Sequence, residues 1–176
     1  PEGACGLVLP GGYPELHAAA LSRNAGMLAC VRRAVESGMP TIAECGGFLY
    51  LHEELCDEAG EPRPMVGVIP GRAALRRPME HFGYVTLTAR EDGLLCRRGE
   101  QIRGHEFHYW QSDSPGDAFL AQKPVSGASW PCGHGGLSLY AGFAHLYWRS
   151  NPRVVERFTA ACAAYAAGEG LSLRHI

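Results

Sequence analysis

Apolar residues recur with two rhythms along this chain, and the alternation between them predicts its elements. CGLVLP (5–10) is a short unbroken apolar run closed by Pro10, Gly11 and Gly12, which predicts a buried strand ending in a turn. SRNAGMLACVRRAVESG (22–38) switches to helical spacing. Met27, Leu28, Val31 and Val35 share one face, Ser22 stands at the capping position, and Gly38 and Pro40 end the helix. MPTIAEC (39–45) reads as a second strand and GFLYLHEEL (47–55) as a second helix. Strand, helix, strand, helix in this order predicts a parallel α/β sheet.

The rhythm changes after residue 60. MVGVIPG, HFGYVTLTA and IRGHEFHYW read as extended segments separated by Gly, Pro and charged turns, and LSLYAGFAHLYW as a strand followed by an irregular stretch. The final helix has Asn151 at the capping position and Pro152 in its first turn. Its apolar face is Val154, Val155, Phe158, Cys162 and Tyr165, and Gly168 ends it. The tail LSLRHI is expected to fray.

Bulk numbers narrow the function classes. The chain has 176 residues with 46% hydrophobic and 19% charged, an ordinary globular composition with enough length for one cored domain. A net charge of -2 gives no basic face, so neither nucleic acid nor an anionic membrane is expected as a partner. The sequence carries no long apolar run and no recognisable leader, and a cytoplasmic location is expected. Seven scattered cysteines without a C-x-x-C pattern argue against a disulfide scaffold, a zinc ribbon or any other metal site.

Chemistry concentrates at AECGG (43–47). A strand-to-helix corner lies on the rim of an open α/β sheet, where ligands collect. Gly46 and Gly47 leave room for close approach. The helix start offers free N–H groups and a positive dipole end, which is expected to lower the Cys45 pKa and favour thiolate. The alternative is a buried structural cysteine beside ordinary turn glycines. A thiolate that attacks an acyl group also needs a base and oxyanion donors. LPGGYPE (9–15) forms a second turn on the same rim and offers a donor, or is a plain turn. Among the histidines, His17, His52 and His175 fall on predicted helix surfaces or the tail and are expected in solvent, and His81 and His134 fall in loops. His105 and His108, three apart in an extended segment, are expected on opposite faces and so cannot chelate one ion. His145 follows a strand of the later half and is the best-placed base, although a histidine among aromatics is more often a packed core residue.

Taken together and in register, LPGGYPE, AECGGFLYL, GHEFHYW and GFAHLYWRSNP resemble the glutaminase domain of cobyrinic acid a,c-diamide synthases, in the CobB/CobQ-like branch of the class I glutamine amidotransferases. The resemblance runs from about residue 7 to about residue 165. It implies an open, mostly parallel, flavodoxin-like α/β sheet with helices on both faces. It also implies a mechanism. Cys45 attacks the side-chain amide of glutamine, backbone N–H groups near Gly12 and at Gly46 hold the oxyanion, and His145 protonates the departing ammonia and then activates water. The ammonia passes to an ATP-dependent synthetase domain, of the same or a partner chain, where a corrinoid carboxylate has been activated as an acyl phosphate. Gly11, Glu44, His105, Glu106, His108 and Tyr109 are implied to shape the glutamine pocket or the inter-domain face.

Two departures from the family pattern matter. The position two after His145, where classical triad amidotransferases carry glutamate, is Tyr147, which leaves a Cys–His dyad unless an acid comes from elsewhere. The chain also opens immediately before LVLPGG. It lacks the first strand–helix–strand of the family's glutaminase domain, and it has no G-x-x-x-x-G-K-[ST] loop around its single lysine, Lys123. Residues 1–176 are therefore read as one amidotransferase domain with a shortened sheet and an exposed edge. No cofactor is expected on this segment, and ATP and Mg2+ are expected on the N-terminal synthetase domain. The rival readings are the glutaminase domain of cobyric acid synthase or of the related sirohydrochlorin or lipid II ligases, a DJ-1/PfpI-type cysteine hydrolase, a docking domain without catalysis, and a metal-binding protein.

Overall fold

The computed structural model describes residues 3–79 and 81–169. In chain order its elements are β1 (Leu7–Leu9), a 3-10 turn (Pro14–His17), α1 (Ala18–Arg23), α2 (Ala25–Glu36), β2 (Thr41–Glu44), α3 (Gly46–Tyr50), β3 (His52–Cys56), β4 (Pro62–Pro64), β5 (Ile69–Leu75) and β6 (Phe82–Ala89). These are followed by β7 (Gln101–Phe107), β8 (Trp110–Ser112), β9 (Phe119–Gln122), β10 (Ser129–Cys132), β11 (His134–Gly135), β12 (Leu139–Gly142), β13 (His145–Tyr147), a second 3-10 turn (Trp148–Ser150) and α4 (Arg153–Ala166).

The parallel α/β heart is small. β1, β2 and β12 run parallel in that order, and β11 adds one antiparallel strand beside β12. Side chains alternate across these strands. Ile42 and Tyr140 point into one core with Val154, Phe158 and Ala161 of α4, while Ala43 and Ala141 point into another with Leu28, Val31 and Val35 of α2. Helices therefore cover both faces, as the α/β reading expects. Each large apolar side chain buried in this way contributes roughly 1.5–3 kcal/mol. β1 is the edge strand, with Val8 half exposed.

The extended segments of the second half build two further sheets. β10, β9, β6, β7 and β13 form an antiparallel sheet whose inner face carries Val85, Leu87, Ile102 and Ala121 into the α4 core. β4, β3, β5 and β8 form a mixed sheet over Leu49, Leu55, Met65 and Trp110. The chain leaves the parallel sheet at Gly142 and joins the antiparallel one at His145, with only Phe143 and Ala144 between.

Several local expectations are corrected. The predicted helix after Ser22 is two helices. The break falls at Asn24, whose side chain accepts the Met27 N–H at 3.2 Å and caps α2, while Ser22 lies inside α1 and Met27 faces solvent. GFLYLHEEL is not one helix, since α3 stops at Tyr50 and HEELC is a strand. His52 is accordingly not in solvent. It is fully buried, with Nδ1 2.9 Å from the Phe48 carbonyl and Nε2 2.6 Å from Ser112 Oγ. Asn151 does not cap α4 with its side chain, which donates to the Gln101 carbonyl at 3.1 Å. His134 lies in β11 rather than a loop. His175 and the expected frayed tail lie outside the described residues.

Candidate active site

β2 and β12 end side by side, with Glu44 registered on Gly142, and the next residue, Cys45, donates its N–H to the Gly142 carbonyl at 2.8 Å. Cys45 has φ 47° and ψ -104°, and it is the only non-glycine residue with positive φ among those described. That backbone conformation costs on the order of 1–3 kcal/mol and persists only where the surroundings impose it. What imposes it is the reversal from β2 into α3, with the backbone of the 9–12 turn packed against the corner. A Cβ on Gly46 would stand 2.5 Å from the Gly12 carbonyl oxygen, so only glycine lets the two turns meet.

The thiol is 7% exposed and sits at the wall of a pocket that Tyr13, Glu15, Leu49, Phe107, His108 and Trp110 also line. Its Sγ–H donates to the Phe107 carbonyl at 3.9 Å. The expected thiolate at rest is corrected here. Burial pushes the Cys45 thiol up to about 11, the Gly46 N–H at the sulfur pulls the other way, and the charges of Glu15, Glu106 and Glu44 add to the rise. α3 has only five residues, and its helix-end field does not offset desolvation.

His145 meets the same 9–12 turn at its other glycine. Its ring packs directly on Gly11, where a Cβ would come within 2.2 Å of Cε1. The side chain is 42% exposed, and Nδ1 is 3.9 Å from Glu44 Oε2. Glu44 is itself anchored, since its Oε1 accepts the Leu146 N–H at 3.3 Å and the Trp148 Nε1–H at 3.2 Å. Cys45 and His145 therefore stand at the same end of the parallel sheet, each against the glycine turn at 11–12. In this state the thiol bonds Phe107, and the imidazole lines a neighbouring groove with Tyr84, Gly104 and Tyr147.

The remaining predicted residues divide between three places. His108 and Tyr109 line the Cys45 pocket. His108 stacks on Phe143 at 3.7 Å, its Nδ1–H donates to the Trp110 carbonyl at 2.7 Å, and its Nε2 faces Glu106 Oε2 at 3.7 Å. Glu106 is buried behind it, and neither of these two facing atoms has a hydrogen-bond partner. His105 is registered on His145 across β7 and β13 and lies on the other face of β7, in edge contact with Phe82 and Tyr84. Gly11 and Glu44 flank His145. Sequence reasoning missed Tyr13, Glu15, Leu49 and Trp110 as pocket walls. Glu15 stands inside the LPGGYPE motif, an acid three residues after the glycines, and that was a legible signal.

A parallel α/β core with a cysteine raised on a positive-φ corner is the arrangement of the glutamine amidotransferase fold. A crystal structure of a glutamine amidotransferase superposes with a TM-score of 0.61 over 92% of this chain and 81% of that one, at 20% identity, a likeness of fold alone. The chain belongs to the CobB/CobQ-like glutamine amidotransferase domain family, whose model matches residues 2–152. Among its relatives are the cobyrinate a,c-diamide synthases of Caldanaerobacter subterraneus subsp. tengcongensis, 36% identical over 167 residues, and of Salmonella typhimurium, 36% identical over 157 residues. These alignments cover 94% and 87% of this chain but only 37% and 34% of the relatives, so the chain spans little more than a third of their length.

Proposed function

We propose that this chain hydrolyses glutamine through a cysteinyl thioester and supplies the ammonia to an ATP-dependent synthetase domain, which amidates the a and c carboxylates of cobyrinic or hydrogenobyrinic acid. The observation that carries the reading is the strained backbone of Cys45, which holds a thiol at the wall of a pocket with the Gly46 N–H beside it. The likeness to synthases of that name supports the acceptor.

The proposed steps run through Cys45, His145 and the glycine turn between them. Glutamine enters the pocket with its carboxamide at Cys45, and the imidazole of His145 takes the thiol proton. The sulfur attacks the amide carbon, and the negative charge on the former carbonyl oxygen falls on the N–H groups of Gly46 and of the turn at Gly12. The His145 imidazolium gives its proton to the leaving nitrogen, and ammonia departs. Water, deprotonated by His145, then attacks the thioester, so that glutamate leaves and the thiol is restored. The net reaction is glutamine plus water to glutamate plus ammonia. Glu44 does the work of the acid missing at Tyr147, since its anchored carboxylate faces the His145 Nδ1 and orients the ring. ATP and Mg2+ belong to the synthetase domain. The aromatic face around Phe82, Tyr84, His105, Phe107, Tyr109 and Tyr147, beside His145, is where that domain docks.

The test is Cys45→Ser, measured with the synthetase domain present. Ammonia release from glutamine is expected to fall by at least about 1000-fold, and labelling by 6-diazo-5-oxo-norleucine to disappear, with the fold unchanged. Unchanged ammonia release in the variant would reject the reading.

A further inference from the structure

The pocket beside Cys45 contains a charge that the mechanism above does not use. Glu15 sits in the 3-10 turn after the glycines, only 8% exposed, and its Oε2 has no hydrogen-bond partner. No arginine, lysine or histidine forms an ion pair with it among the described residues. An unpaired carboxylate placed in a low-dielectric wall is costly, and folds retain one where a ligand completes it. Burial raises its pKa, its own backbone N–H pulls the other way, Glu58 adds to the rise and His17 opposes it.

We propose that Glu15 is the receptor for the α-ammonium group of glutamine. This rests on the glutaminase reading. With the carboxamide fixed at the sulfur, the amino-acid end of the substrate must extend along the pocket, three carbons away. It carries one cation and one anion there. The carboxylate of Glu15 attracts the first and repels the second, so it sets which way round the backbone of glutamine lies. Of the other walls, Tyr13, Leu49, Phe107, Tyr109 and Trp110 bring no side-chain cation, and His108 turns its Nε2 to Glu106 and its Nδ1–H to the Trp110 carbonyl rather than to Glu15. A charge-assisted contact in such a wall is worth more than one in water. The pocket thereby selects a free amino acid over amides that lack the amine.

The experiment compares glutamine with glutaramate, which keeps the carboxamide and the carboxylate but has hydrogen in place of the ammonium. Ammonia release is measured on the chain with its synthetase partner present. For the unmodified protein, kcat/KM for glutaramate is expected to be lower than that for glutamine by about 100-fold or more, with most of the difference in KM. Glu15→Gln keeps the shape and removes the charge. It is expected to lower kcat/KM for glutamine by about 100-fold, to leave glutaramate within a few-fold, and so to collapse the discrimination. Equal use of the two amides by the unmodified protein overturns the assignment without any variant being needed. So does a Glu15→Gln protein that still discriminates, or one that loses both substrates in proportion while its melting temperature is unchanged. If Cys45-dependent ammonia release is absent from the unmodified protein, the glutaminase reading itself falls and takes this assignment with it. The first three outcomes leave that reading standing.

Discussion

Cys45 concentrates the residue-scale tension of this protein. The corner that exposes a nucleophile to substrate also removes it from water, and desolvation outweighs the single N–H at the sulfur. A thiol whose pKa is raised to about 11 is protonated throughout the physiological range, and its thiolate fraction grows until the pH passes that value. Alkylation of Cys45 by iodoacetamide, followed by mass spectrometry of the chain alone, is therefore expected to accelerate about tenfold per pH unit between pH 7 and 10, without a plateau. A plateau near pH 7 would show that a partner already holds the thiolate. Gly11 gives a second residue-scale prediction. Alanine there places a methyl 2.2 Å from His145 Cε1, so the ring must move. Displacement of a base by about 1 Å costs on the order of 100-fold in rate, and Gly11→Ala is expected to lower kcat by about that factor with little change in melting temperature. A kcat within a few-fold of the unmodified protein would mean that the ring position is not limiting.

At the scale of elements, legibility followed the strength of the local rules. The strands around Leu7–Leu9 and Thr41–Glu44 were legible because unbroken apolar runs bounded by Pro and Gly leave few alternatives, and the corner at Cys45 followed from them. Glu44 was placed near the site, but its grip on Leu146 and Trp148 comes from a junction between two sheets that no local pattern announces. The failure at GFLYLHEEL has a similar cause. Helical spacing is present, yet His52 to Cys56 is captured by pairing with β4 and β5, residues contributed from further along the chain. His52 is the residue that this capture buries. Its folded pKa is lowered from 6.5 to about 4 by desolvation, so the unfolded chain binds a proton that the folded one refuses. Stability from this site is present above pH 6.5 and is lost as the pH falls from there toward 4, in total about 3 kcal/mol. Urea unfolding of the chain at pH 7 and pH 4.5 is expected to show most of that loss. In His52→Gln the protein starts less stable but loses correspondingly less on acidification, and an equal acid loss in the variant would assign the effect to other groups.

At the scale of the whole molecule, the site is divided between two states of completion. Cys45 has its pocket and its strained backbone, while His145 lies in an adjoining groove, its side chain nearly half exposed, on the edge of an aromatic face. That face is open. Tyr84 is 74% exposed, Phe82 58% and Tyr147 57%, and Phe107 and Tyr109 continue it toward the Cys45 pocket. Contiguous exposed aromatics of this kind mark an interaction surface. A domain seated there would cover the groove of His145, exclude water from it, and restrict the motion of its exposed ring. On the proposed function, glutaminase turnover would then be coupled to the presence of the consumer of ammonia. Phe82→Glu tests this, because the side chain is exposed and lines neither the pocket of Cys45 nor the groove of His145. On the proposed function, the variant is expected to release ammonia as the unmodified chain does by itself, and to lose at least about tenfold of any stimulation measured when the synthetase domain is added in excess. A full stimulation curve in Phe82→Glu, shifted neither in amplitude nor in half-saturation, would move the docking face elsewhere.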